Sequence, residues 1–177
     1  MNIFFDMDGT LSVFNKEAGP DVWSAPGYAR TLEKLNNVVG ACKQLLKEKT
    51  INGEKINVYI CSAVVSMDFA VEDKKYWLKE MGIDIPKENM IFVPYGQSKK
   101  KAIEEAGVTV RPGDVFLDDY TNNLVELAQI KGLIPIKLLN GINDTHRSWR
   151  GARVSAFSDA SEITTTILGI SLVSRAA

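Results

Sequence analysis

Short apolar runs alternate with longer amphipathic stretches along the chain of 177 residues, and this alternation limits the possible fold more than any other feature. The apolar runs predict strands at residues 2–6, 56–61, 90–93, 114–118 and 134–138, with a weaker one at 153–157. The stretches between them predict helices at 31–49, 67–81, 99–106, 122–131 and 160–173. Strands alternating with helices form parallel units whose helices cover both faces of a sheet. The pattern predicts an α/β fold, a three-layer Rossmann-like parallel sheet, with residues 1–177 in a single domain.

Residues 12–55 interrupt this alternation. One helix would suffice to connect the first two strands, yet the chain here carries a loop with Gly19, Pro20, Pro26 and Gly27 before a long helix, and polar residues after it. The extra length predicts a small helical cap, inserted after the first strand and lying over the carboxyl end of the sheet. A long loop followed by an ordinary crossover helix is the alternative.

The charge and cysteine content exclude several classes of protein. The formal net charge is −1, so the chain lacks the basic surface that polymeric nucleic acid requires. Cys42 and Cys61 have no metal-ligand spacing, which favours reduced thiols over a disulfide framework or a zinc site.

No apolar stretch approaches the ~20 residues of a membrane span, and no signal-peptide region precedes Asp6. We therefore expect a cytoplasmic protein without a membrane partner; the sequence specifies no oligomeric state.

Two aspartates at the end of the first predicted strand are the strongest candidates for chemistry. Residues 4–11 read Phe-Phe-Asp-Met-Asp-Gly-Thr-Leu, and open α/β sheets bind ligands at the carboxyl ends of their strands. One of Asp6 and Asp8 could attack a substrate while the other handles protons, with a divalent cation between them. Asp118 and Asp119 end another predicted strand. Four carboxylates near one point would be costly without a cation, because like charges raise each other's pKa.

The octapeptide resembles the first motif of the haloacid dehalogenase (HAD) superfamily, whose phosphatases carry Asp-x-Asp-x-Thr. The later motifs of that superfamily follow in order. Ser62, after the second predicted strand, matches the Ser or Thr of the second motif, and Lys99, near the start of a helix, matches the lysine of the third. Asp118, Asp119 and Asn123 match the fourth motif, Asp-Asp-x-x-x-Asn. The small cap and the run Leu-Asp-Asp-Tyr-x-x-Asn-Leu are most similar to small 5′-nucleotidase-like members.

The resemblance implies a HAD-like fold and a role for each matching residue. Asp6 would be the nucleophile that forms an aspartyl-phosphate. Asp8 would protonate the leaving alcohol and then deprotonate the attacking water. The implied cofactor is Mg²⁺, bound directly by Asp6, Asp119 and the backbone carbonyl of Asp8. Asp118 and Asn123 would orient these ligands through hydrogen bonds.

Phosphate binding is assigned to Ser62 and Lys99, and to Gly9 and Thr10 in the turn that follows the nucleophile. Gly9 would let backbone amides approach the phosphate closely. Three lysines are consecutive at the start of the third predicted helix, and helix geometry sends them in different directions. Lys99 is favoured because it lies nearest the helix start, and Lys100 is the alternative.

The implied activity is Mg²⁺-dependent hydrolysis of a small-molecule phosphate monoester, a nucleoside monophosphate or another small phosphometabolite. The alternatives are a phosphotransferase or phosphomutase whose acceptor is not water, and a non-catalytic Mg²⁺-binding regulatory protein. Phe14, Trp23 and Tyr28 could stack on a ring of the substrate or form a small core within the cap. His146, in the polar segment 140–149, could border the site or lie in an exposed loop.

Overall fold

The computed structural model describes residues 1–142 and 149–176, and a parallel sheet forms its centre. The strands, in chain order, are β1 (Asn2–Phe5), β2 (Thr50–Ile51), β3 (Glu54–Lys55), β4 (Asn57–Val64), β5 (Met90–Pro94), β6 (Asp114–Asp118), β7 (Leu133–Leu139) and β8 (Ala152–Ser155). Six of them pair in the order β5-β4-β1-β6-β7-β8, and every neighbouring pair is parallel. The predicted α/β class with a parallel sheet is confirmed.

Helices cover both faces of this sheet. Among the described residues they are α1 (Pro20–Trp23), α2 (Asn36–Lys47), α3 (Ala70–Glu80), α4 (Lys99–Glu105), α5 (Thr121–Leu127) and α6 (Ala160–Ala176), with 3-10 turns at Tyr28–Thr31 and Lys87–Asn89. One apolar cluster joins the sheet to α2, α3 and α6, and a second joins the opposite face to α4 and α5. None of the described helices has the length and apolar character needed to cross a bilayer.

β1 is the central strand, and its position explains its sequence. Alternate residues of a strand face opposite sides of the sheet. Ile3 and Phe5 accordingly belong to one apolar cluster and Phe4 to the other, and all three side chains are fully buried. A strand covered on both faces is a continuous apolar run. The run ends at Asp6, whose backbone N–H donates to the carbonyl of Leu117 on β6 at 3.0 Å.

The predicted insertion, residues 12–55, divides into parts that lie in different places. The helix predicted at 31–49 begins only at Asn36, and α2 packs against α6 and the sheet as one of the covering helices. Residues 12–35, which we call the lid segment, carry α1, which has no buried residue, and a 3-10 turn that packs against α3. Residues 50–55, interpreted from the sequence as a polar tail, form the β2–β3 hairpin. The hairpin turns at Asn52 and Gly53, the dipeptide that suits such a turn because both φ angles are positive.

Several predicted boundaries are wrong by a few residues. β4 was predicted to end at residue 61 but continues to Val64, so Ser62 lies within the strand. The helix predicted at 67–81 begins at Ala70, and the helix predicted at 122–131 ends at Leu127. Helix ends are set by local hydrogen bonds that hydrophobic periodicity does not report. Residues 143–148, including His146, lie outside the described residues.

Candidate active site

Three aspartates from two neighbouring strands meet at the carboxyl edge of the sheet. Asp6 follows β1, Asp118 is the last residue of β6, and Asp119 comes next. One carboxylate oxygen from each lies within 4.8 Å of the others, and all three side chains are buried. Because β1 and β6 pair in parallel, their ends coincide and deliver these carboxylates to one point.

The protein environment makes this much negative charge unfavourable. Burial raises the pKa of Asp6 to about 6, and Lys99 offsets only part of that effect while Asp118 and Asp8 add to it. Burial likewise raises the pKa of Asp119 to about 7, with repulsion from Asp118 and Asp6 as the next causes. A bound cation would relieve both shifts. Three buried hard oxygen donors suit Mg²⁺.

Lys99 is the member of the lysine run that enters the site. Its side chain is buried, and its Nζ lies 2.8 Å from Asp6 Oδ1 and 2.7 Å from Asp118 Oδ2. Burial alone would lower the pKa of Lys99, but Asp118 and Asp6 outweigh it and raise that pKa. Lys100 instead lies at the surface, where its Nζ donates to Oε1 of Gln129, just after α5, at 3.5 Å. The hydroxyl of Ser98 caps α4, which fixes Lys99 as its first residue.

Asp118 is enclosed by hydrogen-bond donors rather than by solvent. Its Oδ1 accepts the backbone N–H of Tyr120 at 2.7 Å, and its Oδ2 accepts the side-chain amide of Asn123 at 2.9 Å in addition to Lys99. This carboxylate therefore orients Lys99 and the loop after β6. The arrangement is compatible with the supporting role predicted for Asp118 and Asn123.

A second buried lysine, which the sequence analysis did not single out, contacts Asp8. Lys74 of α3 is 4% exposed, and its Nζ lies 2.5 Å from Asp8 Oδ2. The same ammonium donates to Ser62 Oγ and to the carbonyl of Ala63, each at 2.8 Å. A sequence signal did exist: Lys74 shares a helical face with the buried Ala70 and Trp77, where a solvated charge is not expected.

Asn140 is the other residue that the sequence analysis did not assign to the site. Its side-chain amide donates to Asp119 Oδ2 at 3.1 Å and to the carbonyl of Gly9 at 2.7 Å. Gly9 has a φ of +77°, and a Cβ there would lie 2.4 Å from Asp119 Oδ2. The glycine therefore admits the Asp119 carboxylate against the backbone of the turn. Asn140 directly follows β7, the strand next to β6, and this position was the sequence signal that could have identified it.

Three residues predicted to bind phosphate do not line the cavity at this edge. The backbone N–H groups of Gly9 and Thr10 donate within the turn, to the carbonyls of Ser12 at 2.8 Å and Met7 at 3.0 Å. The Thr10 hydroxyl is buried and has no hydrogen-bond partner among the described residues. Ser62 is fully buried beneath Lys74. Their phosphate-binding role stays a prediction that this arrangement does not favour.

The lid segment closes a cavity of about 470 Å³ over the acidic cluster. Asp6, Asp8, Lys99 and Asp119 line its sheet side, together with Lys74 and Asn123. Phe14, Trp23 and Tyr28 line its lid side, where the rings of Phe14 and Trp23 lie 5.4 Å apart. Phe14 and Trp23 thus contact each other, and all three aromatic residues line the cavity.

Two polar atoms of the lid are buried without hydrogen-bond partners among the described residues. They are the indole Nε1 of Trp23 and the hydroxyl of Tyr28. Burial, and then the charge of Asp8, raise the pKa of the Tyr28 hydroxyl. The hydroxyl therefore stays protonated at neutral pH.

Helix α3 anchors the lid segment. The buried carboxylate of Asp73 accepts the backbone N–H of Gly27 at 2.6 Å and pairs with Arg30 Nε at 2.5 Å. The indole of Trp77 donates to the carbonyl of Leu32 at 2.7 Å. One helix thus holds the lid through Asp73 and Trp77 and reaches the acidic site through Lys74, the residue between them.

In comparisons with known proteins, no family model matches this chain, and no curated protein matches it. Functional conclusions therefore rest on the chemistry of the site. That site offers a buried carboxylate beside an ammonium group, a second carboxylate that lines the same cavity, and a cluster of hard oxygen donors. Such a set can bind a divalent cation, attack an electrophile and transfer a proton.

Proposed function

We propose that the protein is a HAD-like phosphatase, a Mg²⁺-dependent hydrolase that cleaves small phosphate monoesters through an aspartyl-phosphate. The observation that carries this proposal is the placement of Asp6. Its carboxylate lies in the cavity at the carboxyl end of the central strand, 2.8 Å from an ammonium group and two residues before a second cavity-lining carboxylate. In this proposal the lid segment, residues 12–35, is the cap of the HAD-like fold.

The first half-reaction transfers the phosphoryl group to the protein. A carboxylate oxygen of Asp6 attacks phosphorus, and the bond between phosphorus and the alcohol oxygen breaks. Asp8 gives a proton to that oxygen, so the products are an alcohol, an aspartyl-phosphate and the Asp8 carboxylate. Lys99 offsets the negative charge of the incoming phosphoryl oxygens, which is much of what phosphoryl transfer requires.

The second half-reaction releases phosphate. The Asp8 carboxylate takes a proton from water as the water oxygen attacks phosphorus. The bond between phosphorus and the Asp6 oxygen breaks, which regenerates the Asp6 carboxylate and yields inorganic phosphate. Asp8 thus ends protonated, ready for the next substrate.

The residues present fit a divalent cation. Burial raises the pKa of both Asp6 and Asp119, and ligand oxygens from the acidic cluster lie within 4.8 Å of one another. Asp6, Asp119 and the backbone carbonyl of Asp8 would hold the ion, and Asn140 would keep the Asp119 carboxylate in place. When bound, Mg²⁺ supplies positive charge that lets an anionic nucleophile approach an anionic phosphate.

The cavity supports a small substrate that carries a ring. A volume of about 470 Å³ falls within the range of small-molecule sites. Phe14, Trp23 and Tyr28 give the lid side of the cavity an aromatic lining, which suits contact with a ring. A nucleoside monophosphate is the first choice under this proposal, and another ring-bearing phosphometabolite is the second.

The test is phosphate release from ribo- and deoxyribonucleoside monophosphates, sugar phosphates and an aryl phosphate, with Mg²⁺ and with EDTA. The wild type is compared with Asp6→Asn and with Asp84→Asn, the same change at an exposed aspartate. We expect Mg²⁺-dependent release that is lost in Asp6→Asn and kept in Asp84→Asn. Activity in Asp6→Asn close to that of the wild type would remove Asp6 as the nucleophile. No release from any substrate by a folded, Mg²⁺-binding wild type would refute the phosphatase.

A further inference from the structure

Each aspartate of the Asp-x-Asp motif has its own buried lysine. Lys99 of α4 pairs with Asp6 at 2.8 Å, and Lys74 of α3 pairs with Asp8 at 2.5 Å. The two lysines come from helices on opposite faces of the sheet. The family motifs quoted above assign Lys99 and leave Lys74 without a role.

The hydrogen bonds of Lys74 leave it nothing to offer a substrate. An ammonium group has three N–H donors. Lys74 uses them on Asp8 Oδ2, Ser62 Oγ and the carbonyl of Ala63, at 2.5 to 2.8 Å. Binding a phosphoryl oxygen would require Lys74 to release one of these acceptors, and loss of the partner of the fully buried Ser62 hydroxyl would be costly. Lys74 is therefore poorly suited to hold phosphate even though it lines the cavity.

The contact does restrict Asp8. The Asp8 side chain is 33% exposed and lies in a turn, so its carboxylate would otherwise be free to rotate. Lys74 holds Oδ2 and leaves Oδ1 for the proton that passes to the leaving group. Proton transfer is efficient only when donor and acceptor meet at hydrogen-bond distance in a fixed orientation.

The support behind Lys74 is rigid. The next turn of α3 carries Trp77 and Leu78, each 1% exposed, in the main apolar cluster. Asp73 and Trp77 bind the lid segment from the same helix. A side chain fixed by such packing can hold a reacting group within the small tolerance that catalysis needs.

We propose that Lys74 is a positioning residue for Asp8, which fixes the carboxylate that protonates the leaving alcohol and does not bind the phosphate of the substrate. This inference rests on the proposed phosphatase function. It predicts that the loss of kcat/KM on removal of Lys74 increases with the basicity of the leaving group, because a more basic alkoxide requires protonation to depart. A residue that only stabilised the fold or bound phosphate would affect all esters alike.

The test is the kcat/KM of Lys74→Met with an alkyl phosphate and with 4-nitrophenyl phosphate, whose leaving group departs without a proton. This parameter covers the steps up to release of the alcohol, so hydrolysis of the aspartyl-phosphate does not enter. We expect a loss on the order of 10²-fold with the alkyl ester and less than about fivefold with the aryl ester. Lys75→Met changes the neighbouring lysine, which pairs with the exposed Glu72, and this matched control should behave like the wild type. Equal losses with both esters would overturn the proposal.

A double-mutant cycle keeps the test decisive if Lys74→Met does not fold. Asp8→Asn combined with Lys74→Met removes both charges of the pair and leaves neither buried alone. Because Lys74 acts through Asp8, its removal from Asp8→Asn should lower the kcat/KM for the alkyl ester by less than about threefold. A further loss on the order of 10²-fold would show that Lys74 binds substrate and would overturn the proposal. A wild type that releases phosphate from neither ester would instead refute the phosphatase itself.

Discussion

The two walls of the cavity are built in opposite ways. On the sheet side, Asp6, Asp118 and Asp119 are at most 6% exposed, and each carboxylate has an ion-pair or hydrogen-bond partner from another element. On the lid side, α1 has no buried residue, and the buried polar atoms of Trp23 and Tyr28 lack partners among the described residues.

Under the proposed function, this difference separates chemistry from substrate choice. Groups fixed by neighbours on the sheet side need no rearrangement when a reaction starts, which is the main requirement for electrostatic catalysis. The lid side instead lines the cavity with the aromatic side chains of Phe14, Trp23 and Tyr28, which suit contact with a ring of the substrate. We therefore assign the reaction to the sheet side and the selection of its substrate to the lid. Four substitutions or conditions test this division, and the largest effects belong to the sheet side.

The largest effect should follow removal of the ammonium group beside Asp6. Lys99→Met leaves Asp6 and Asp118 buried without their shared ammonium group, and it removes the charge that offsets the phosphoryl oxygens in the proposed mechanism. We expect kcat/KM for phosphate release to fall on the order of 10³-fold. Lys100→Met, at the adjacent solvent-accessible position, should change it by less than about twofold. Equal small losses would mean that the buried ammonium group of Lys99 takes no part in the reaction.

The next effect concerns the two aspartates at the end of β6. Asp119→Asn removes a proposed Mg²⁺ ligand, so calorimetry should show Mg²⁺ affinity weakened by more than about 10²-fold. Asp118→Asn alters a group that orients Lys99 and Asn123, and supporting residues of this kind affect metal affinity by about 10- to 100-fold. The Asp119 variant should therefore be the weaker binder. The reverse order would exchange the two roles.

The sheet side could be predicted from sequence because parallel strand ends coincide. The apolar run identified β1, and the resemblance implied that Asp6 and Asp119 share a cation. The parallel pairing of β1 with β6 in the structure brings the ends of these two strands together. Lys74 and Asn140 were missed because neither belongs to the motifs quoted above, although a buried helical face and a position after β7 were available as signals. Lys74 contacts Asp8, 66 positions away, and Asn140 contacts Gly9, 131 positions away. Only tertiary packing joins such pairs.

The lid could not be predicted to the same degree. Its aromatic residues follow neither a helical nor a strand period, so periodicity could not say which of them face inward. The long helix after it has the periodicity of a core helix, and Val38, Cys42 and Leu45 show why: they pack against the sheet. The sequence analysis thus predicted an insertion but wrongly included α2, which is one of the helices that cover the sheet. Local patterns identify elements better than they identify what each element packs against.

A third, smaller effect tests the cost of the buried carboxylates. The folded pKa values of Asp6 and Asp119, about 6 and about 7, lie above the ordinary value of 3.8. Groups whose pKa is raised by folding contribute stability that is present at low pH and lost as pH rises through the folded pKa. In EDTA, the Tm should therefore fall by a few degrees between pH 4 and pH 7.5. Mg²⁺ should restore it at the upper end.

Asp119→Asn provides the comparison for this experiment. The amide does not titrate, so the fall in Tm across the same pH range should be smaller in the variant. Its Tm at pH 7.5 should respond less to Mg²⁺ than that of the wild type. A wild-type Tm in EDTA that stays constant or rises over this range would show that ionisation of the buried carboxylates does not destabilise the folded protein.

The smallest effect should come from a change in the lid, and the informative result is the difference between ring-bearing and acyclic substrates. Trp23→Leu removes an aromatic side chain from the cavity lining but leaves the acidic cluster intact. We expect KM for a ring-bearing phosphate ester to rise about three- to tenfold, with kcat nearly unchanged, since one lost contact of this kind is worth about 1 kcal/mol. KM for a small acyclic phosphate ester should stay within about twofold of the wild type. Val22→Ala, a half-exposed neighbour on the same short helix outside this cavity lining, is the control. A fall in kcat for both esters would place part of the chemistry in the lid and end the division between the two walls.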